Sequence, residues 1–186
     1  VSEFGRYAVT LRCANTLPKE IVERLTAIHA AQEQVEAQSE EMRLLQRKRF
    51  LTLEKYDDAG HGFTPFTDKR AARWIHTFLE EYHKNGLGFS DWVIMPNHLH
   101  LVTKGVAFET VEAFMKAWRG FKGESGKAMN RILSRTGPFW QDEWYDRLIR
   151  DAEEYRKWRN YLETNPVKAG LCDKGKAYPY LRLSDA

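Results

Sequence analysis

The spacing of apolar residues changes period several times along the chain. In 6–12 (R-Y-A-V-T-L-R) it alternates, with Tyr7, Val9 and Leu11 on one side and Ala8 and Thr10 on the other, which predicts a strand. From about Lys19 to Tyr56, Val22, Leu25, Ile28, Val35, Met42, Leu45 and Leu53 recur at helical intervals in charged sequence, interrupted by Ala- and Gln-rich turns. This predicts one long helix or a helical hairpin, partly exposed, entered near Pro18. Residues 57–62 read as a loop. A second helix is expected from Thr67-Asp68-Lys69 to about Lys84, on the stripe Ala71, Trp74, Ile75, Phe78, Leu79 and Tyr82, with Asn85-Gly86 ending it.

Residues 89–96 (F-S-D-W-V-I-M-P) and 98–103 (H-L-H-L-V-T) read as two strands of a hairpin turning at Pro96-Asn97. A third helix is expected from about Glu109 to Leu133, with Gly123 and Gly126 as interruptions. Val111, Phe114, Met115, Trp118, Phe121, Met129, Ile132 and Leu133 fall on an arc of about 120°, taking roughly 100° per residue. Residues 139–150 read as a strand or extended edge. A last helix is expected from about Asp151 to Thr164, because Pro166 disfavours helix at Asn165. Residues 167–186 read as a tail with Pro179 and aromatic anchors.

With 19–57 set aside as a charged helical insertion, the order is β-α-β-β-α-β plus a final helix. That is an α+β plan, the ferredoxin-like split βαβ. It implies an antiparallel sheet with helices on one face and the other face available for a ligand. One domain over 1–186 is expected at this length.

Composition narrows the class. Hydrophobic residues are 42% and charged residues 30%, and no apolar run nears the ~20 residues of a membrane span, so no membrane role is expected. Cys13 and Cys172 are too few for a disulfide framework, which favours a reducing compartment. The opening residues show no basic region followed by an apolar core, so no signal peptide is expected. A formal charge of +3 suits an acidic partner without demanding one. Residues 116–135 are more telling, with six basic residues against Glu124 alone. Most of these lie opposite the apolar arc, as a solvated face or a track for phosphates.

His98 and His100 stand two apart in a strand, so both imidazoles leave one face. They could share a cation or simply face solvent. Two His with an amide or carboxylate leave positions open for a phosphate oxygen, which suits Mg²⁺ or Mn²⁺, with Zn²⁺ as competitor. Tyr161 and Asn165 stand four apart and share a helix face. A tyrosine hydroxyl can attack phosphorus, and Asn165 could be a third ligand. Spacing equally allows Tyr161 as a packing residue and Asn165 as a C-cap, and leaves Tyr145, Tyr155 and Tyr178 as rival nucleophiles. Arg147 and Arg150 flank the last helix as candidate phosphate contacts or a solvated charge pair, and Lys122 belongs to the basic face.

Three stretches together resemble one family. W-V-I-M-P-N-H-L-H-L-V-T (92–103) carries the His-hydrophobic-His signature of HUH endonucleases, in the form found in REP-associated tyrosine transposases. F-W-Q-D-E-W-Y-D-R-L-I-R-D (139–151) and Y-L-E-T-N-P-V-K-A-G-L (161–171) match the same family in order, as does the opening Y-A-V-T-L-R. The resemblance implies a DNA transposase that cuts and rejoins single-stranded DNA next to a hairpin, through a 5′-phosphotyrosine. His98 and His100 match the metal pair, Tyr161 the nucleophile and Asn165 the completing ligand, while Lys122, Arg147 and Arg150 are expected to meet DNA. It further implies a bacterial cytoplasmic, nucleoid-associated protein acting as monomer or homodimer. The segment 19–57 is longer than a minimal member needs, and could be a DNA clamp, a partner surface or a spacer. The competing reading is a non-catalytic single-strand binding module with an RRM-like sheet, although no RNP-type aromatic motif is evident. A zinc metallohydrolase would need ligand spacings that are not found.

Overall fold

A computed structural model describes residues 5–36, 39–57, 62–142 and 144–185. Most of the expected 57–62 loop and the Tyr145 side chain lie outside the described set. The alternating segments become β1 (Arg6–Arg12), β2 (Phe89–Ile94) and β3 (His98–Thr103), joined at the sheet edges by β4 (Tyr145–Ile149) and β5 (Leu181–Arg182). The sheet order is β4-β1-β3-β2-β5 and every pairing is antiparallel. Its first four strands follow the ferredoxin-like arrangement the element order implies. β5 was not expected, because it is two residues long and depends on a pairing with Trp92 and Val93 far back in the chain.

Period two sorts the strand residues onto two faces. Tyr7, Val9, Leu11, Trp92, Ile94, Leu99 and Leu101 enter the larger core. There they pack against α3 (Lys69–Glu81) and α4 (Val111–Ile132) through Ile75, Leu79, Phe114, Trp118 and Phe121. Ala8, Val93, Val102 and Ile149 lie on the other face with Leu162 of α5 (Ala152–Lys168), flanked by half-buried Tyr155, Trp158 and Tyr161. The face expected to stand open is therefore roofed by α5. All six residues of β3 are buried, as a strand covered on both sides must be.

Of the two forms expected for 19–57, the segment takes the helical pair, α1 (Lys19–Gln32) and α2 (Glu40–Asp57) in contact. Several boundaries elsewhere depart from expectation for definable reasons. α3 stops at Glu81, and Tyr82 is already extended. Asn85 and Gly86, with φ of 53° and 75°, instead form a tight turn in which Leu87 N donates to Lys84 O at 2.9 Å. α4 runs unbroken through both glycines. A Cβ on Gly126 would stand 3.3 Å from Phe139 Cβ, so glycine there admits a close neighbour rather than a break. Within 139–150 only β4 is a strand; Phe139 and Trp140 are buried in the core, and Trp140 Nε1 donates to Ser125 Oγ at 3.0 Å.

The largest correction is at the end of α5, which passes through Asn165 and Pro166 to Lys168. Proline removes one donor, but Leu162, Asn165 and Pro166 are all buried, and that packing outweighs the local bias. The helix then closes through Ala169 N to Asn165 O and Leu171 N to Pro166 O, with Gly170 at φ 69°. Asn165 is thus an interior helix residue and not a cap.

Candidate functional site

The antiparallel register of β1 and β3 sets Thr10 beside His100 and Arg12 beside His98, all on the α5 face. Both imidazoles are essentially fully buried. His98 Nδ1 lies 2.7 Å from Asn97 Oδ1, which can only accept, so the proton sits on Nδ1 and the Nε2 lone pair points away. His100 Nδ1 lies 2.9 Å from the Thr10 hydroxyl. With that hydroxyl accepting, His100 also directs a bare Nε2 inward, and the two Nε2 atoms are 3.0 Å apart. Two lone pairs at this distance repel unless a proton or cation lies between them.

Electrostatics keep the pair neutral. Burial, then His100, then the Arg12 guanidinium hold His98 well below the usual imidazole range. Burial, followed by Arg12, pushes His100 down to about 3. Neutral imidazole is the form that binds metal. The donor geometry also fits: at a metal–nitrogen bond of about 2.1 Å, nitrogens 3.0 Å apart subtend roughly 90°, an octahedral cis angle. Among the described residues no cluster of three or more His, Cys, Asp or Glu could hold a metal, so a further ligand from these residues would be an amide or a hydroxyl. Asn165 answers to that description. It is 1% exposed, and neither Oδ1 nor Nδ2 has a hydrogen-bond partner among the described residues, which ordinarily costs about 1–3 kcal/mol.

Tyr161 reaches this pair from α5. Its Oη lies 3.1 Å from His100 Nε2, and the rings meet edge to face with centroids 5.0 Å apart. Trp158 packs on its other side at 5.3 Å, and Lys168 Nζ stands 5.7 Å from the ring. The rival Tyr155 and Tyr178 are engaged elsewhere, with Asp91 and with the Ile94 carbonyl. The expected nucleophile, the two histidines and the helix turn bearing Asn165 thus come together.

α5 is held in place by a buried polar cluster that motif reading missed. Asp91 on β2 is fully buried and accepts from Tyr155 Oη at 2.7 Å, Ser90 Oγ at 2.6 Å and Ser184 N at 2.9 Å. Arg159 stands 3.8 Å from the same carboxylate and donates to Ser184 O. The helix and the C-terminal segment are thereby tied to one strand. Thr10 and Arg12 were also missed. Their signal was present in the alternation of β1, but its use required knowing that β1 lies beside β3.

The expected DNA contacts divide. Arg147 and Arg150 are exposed and both paired to Glu154, and Arg147 lines a hollow shared with Tyr161. Lys122 lies on the opposite side of the sheet from Tyr161, with its ammonium donating to Gln141 O and Asp142 O at 2.6 Å and lying over the Trp144 ring. That ammonium ties down a loop, and the geometry does not bring it to the site. The rest of the basic face of α4 shares its side of the sheet, because α4 packs in the larger core. Among the described residues no helix is long and apolar enough to cross a membrane.

No family model matches this chain. A REP-associated tyrosine transposase of Escherichia coli (strain K12) is 24% identical over 105 residues, which cover 56% of this chain and 59% of that protein. The match thus spans less than two thirds of the relative's length. A solved structure of a REP-associated tyrosine transposase bound to a REP hairpin matches 95% of this chain and 75% of its own, with a TM-score of 0.51 at 16% identity. A crystal structure of a Deinococcus radiodurans protein scores 0.36, too low to bear on the fold. The resemblance carried by the three motifs therefore extends to the fold: this chain is similar to the REP-associated tyrosine transposases.

Proposed function

We propose that this chain nicks and rejoins single-stranded DNA beside hairpins by tyrosine transesterification, with a divalent cation, Mg²⁺ or Mn²⁺, held by His98, His100 and Asn165. The observation that carries the reading is the approach of Tyr161 Oη to within 3.1 Å of His100 Nε2, in a buried pocket where both imidazoles are neutral. The bound cation would supply Lewis-acid polarisation of the scissile phosphate.

The residues of the chain supply the rest. Tyr161 Oη attacks phosphorus and loses its proton; the bond from phosphorus to the 3′ oxygen breaks, and that oxygen leaves as a hydroxyl. One phosphodiester is exchanged for another, so rejoining needs no outside energy. Arg147 and Arg150 would hold neighbouring phosphates. Trp158 packs beside the phenol and limits its swing. The Asp91 cluster fixes the helix that delivers it. The RRM-like alternative needs an exposed sheet face as a stacking platform, and α5 covers that face here.

The test is a suicide-type assay on a hairpin oligonucleotide with a single-stranded flank and Mn²⁺. Unmodified protein should form a denaturant-resistant covalent adduct. Tyr161→Phe should reduce it by roughly a thousandfold or more while hairpin binding stays within about twofold. An adduct surviving in Tyr161→Phe would remove Tyr161 from the role.

A further inference from the structure

The segment 19–57 contributes no strand to the sheet, yet its two helices form one wall of a wide cleft. That cleft, about 890 Å³, lies between the arm of α1 and α2 on one side and the β4 edge with α5 on the other. Arg43 and Arg47 project into it from α2, four residues apart and so on one helix face, both exposed. Arg147 and Arg150 face them from the end of β4, and Trp144 and Trp158 line the same space. The acids on its walls are Glu33 and Asp146, and Glu154 pairs with Arg147 and Arg150 from beside it, so the five arginines of the lining still outnumber the acids. A smaller hollow of about 230 Å³ beside Tyr161 shares Arg147 and Trp158 with this cleft. The two spaces meet at that pair of side chains, and the Trp158 ring is 5.3 Å from the Tyr161 ring.

We propose that the α1–α2 arm is a clamp for the unpaired DNA flanking the hairpin, and that the cleft is the path of that strand to Tyr161. This rests on the DNA-processing function proposed above. Opposed arginines suit a phosphate backbone, since each guanidinium can pair two phosphate oxygens. Indole rings in the same groove suit bases, but only bases free of a duplex can stack on them. The combination favours a single strand over the paired stem.

Fluorescence anisotropy with three labelled oligonucleotides tests this: a bare hairpin, and the same hairpin with about ten unpaired nucleotides at its 5′ or its 3′ end. Unmodified protein should bind one tailed form about tenfold tighter than the bare hairpin. Arg43→Glu/Arg47→Glu, at exposed positions, should lose that gain and leave bare-hairpin affinity within about twofold. Its salt dependence on the tailed form should weaken by about 1.4 in log–log slope, roughly 0.7 for each lost phosphate contact. Circular dichroism and a melting curve check that the variant is folded. The clamp is overturned if unmodified protein gains nothing from either tail, if the variant keeps the gain, or if it loses affinity equally for all three. Unmodified protein that binds none of them brings down the DNA-processing reading itself, and the clamp with it.

Discussion

The phenolic oxygen of Tyr161 lies 3.1 Å from Nε2 of His100, a residue 61 positions away in the chain. The imidazole carries no charge in this arrangement, because burial and Arg12 keep it neutral. The contact sets a phenolic hydroxyl against a pair of nitrogen donors, and four measurements follow from it and its surroundings.

Manganese titration by calorimetry should show one site per chain. An orienting partner of a metal-bound histidine is worth about 10–100-fold in affinity, so His98→Ala or His100→Ala should cost more than about 100-fold. Asn165→Leu offers a sharper reading. It removes two buried polar atoms that lack partners, so the metal-free variant should be more stable, by up to about 1–3 kcal/mol. The same change should weaken manganese binding. A variant that is more stable and binds manganese as before would leave Asn165 outside the metal site.

The metal-free protein should be sensitive to acid. His98 and His100 have folded-state pKa values below the ordinary 6.5, that of His100 near 3. Protons therefore bind the unfolded chain first, so the contribution to stability is full above about pH 6.5 and is lost as pH falls towards 3. Urea melts at pH 7.0, 5.5 and 4.5 should show a steady decline. His98→Gln/His100→Gln should flatten that decline; an equally steep one would place its origin in other groups.

Arg12 should be visible in the histidine titrations. Its guanidinium depresses both imidazoles, second to burial for His100. Arg12→Gln should move both pKa values upward, by less than the full return to 6.5 because burial remains. Proton NMR of the ring resonances reads this directly. An unmoved His100 would mean that burial alone sets its value.

The Asp91 cluster should be worth much more than a surface contact. Tyr155→Phe deletes a 2.7 Å bond to a fully buried carboxylate. Bonds of this kind contribute about 1.5–3 kcal/mol, which for a chain of this length corresponds to a fall in Tm of roughly 3–12 °C. A shift below about 1 °C would show that Ser90, Ser184 and Arg159 satisfy Asp91 without it.

The local chemistry of the chain is legible in its sequence. Alternation in 6–12, 89–94 and 98–103 determined three strands and which residues share a face, because a strand's period of two is built into its backbone. It put His98 and His100 on one side, as helical spacing put Tyr161 and Asn165 on one side. Three motifs in order carried the resemblance to a transposase family. Local rules failed where burial overruled them, as at Pro166, whose helix continues, and at Gly126, which makes room for Phe139.

Only the tertiary structure decided what faces what. That α5 covers the histidine face, that Thr10 lies 2.9 Å from an imidazole 90 residues on, and that Ser184 closes over Asp91 across 93 residues are matters of chain topology. Backbone geometry fixes relations between residues a few positions apart, whereas contacts across such separations depend on which surfaces are buried together once the sheet has formed. The sequence by itself determined the pair of imidazoles, the phenol and their separate faces. The closing of α5 over the sheet, driven by burial of Leu162 and fixed by Asp91, decided that they meet.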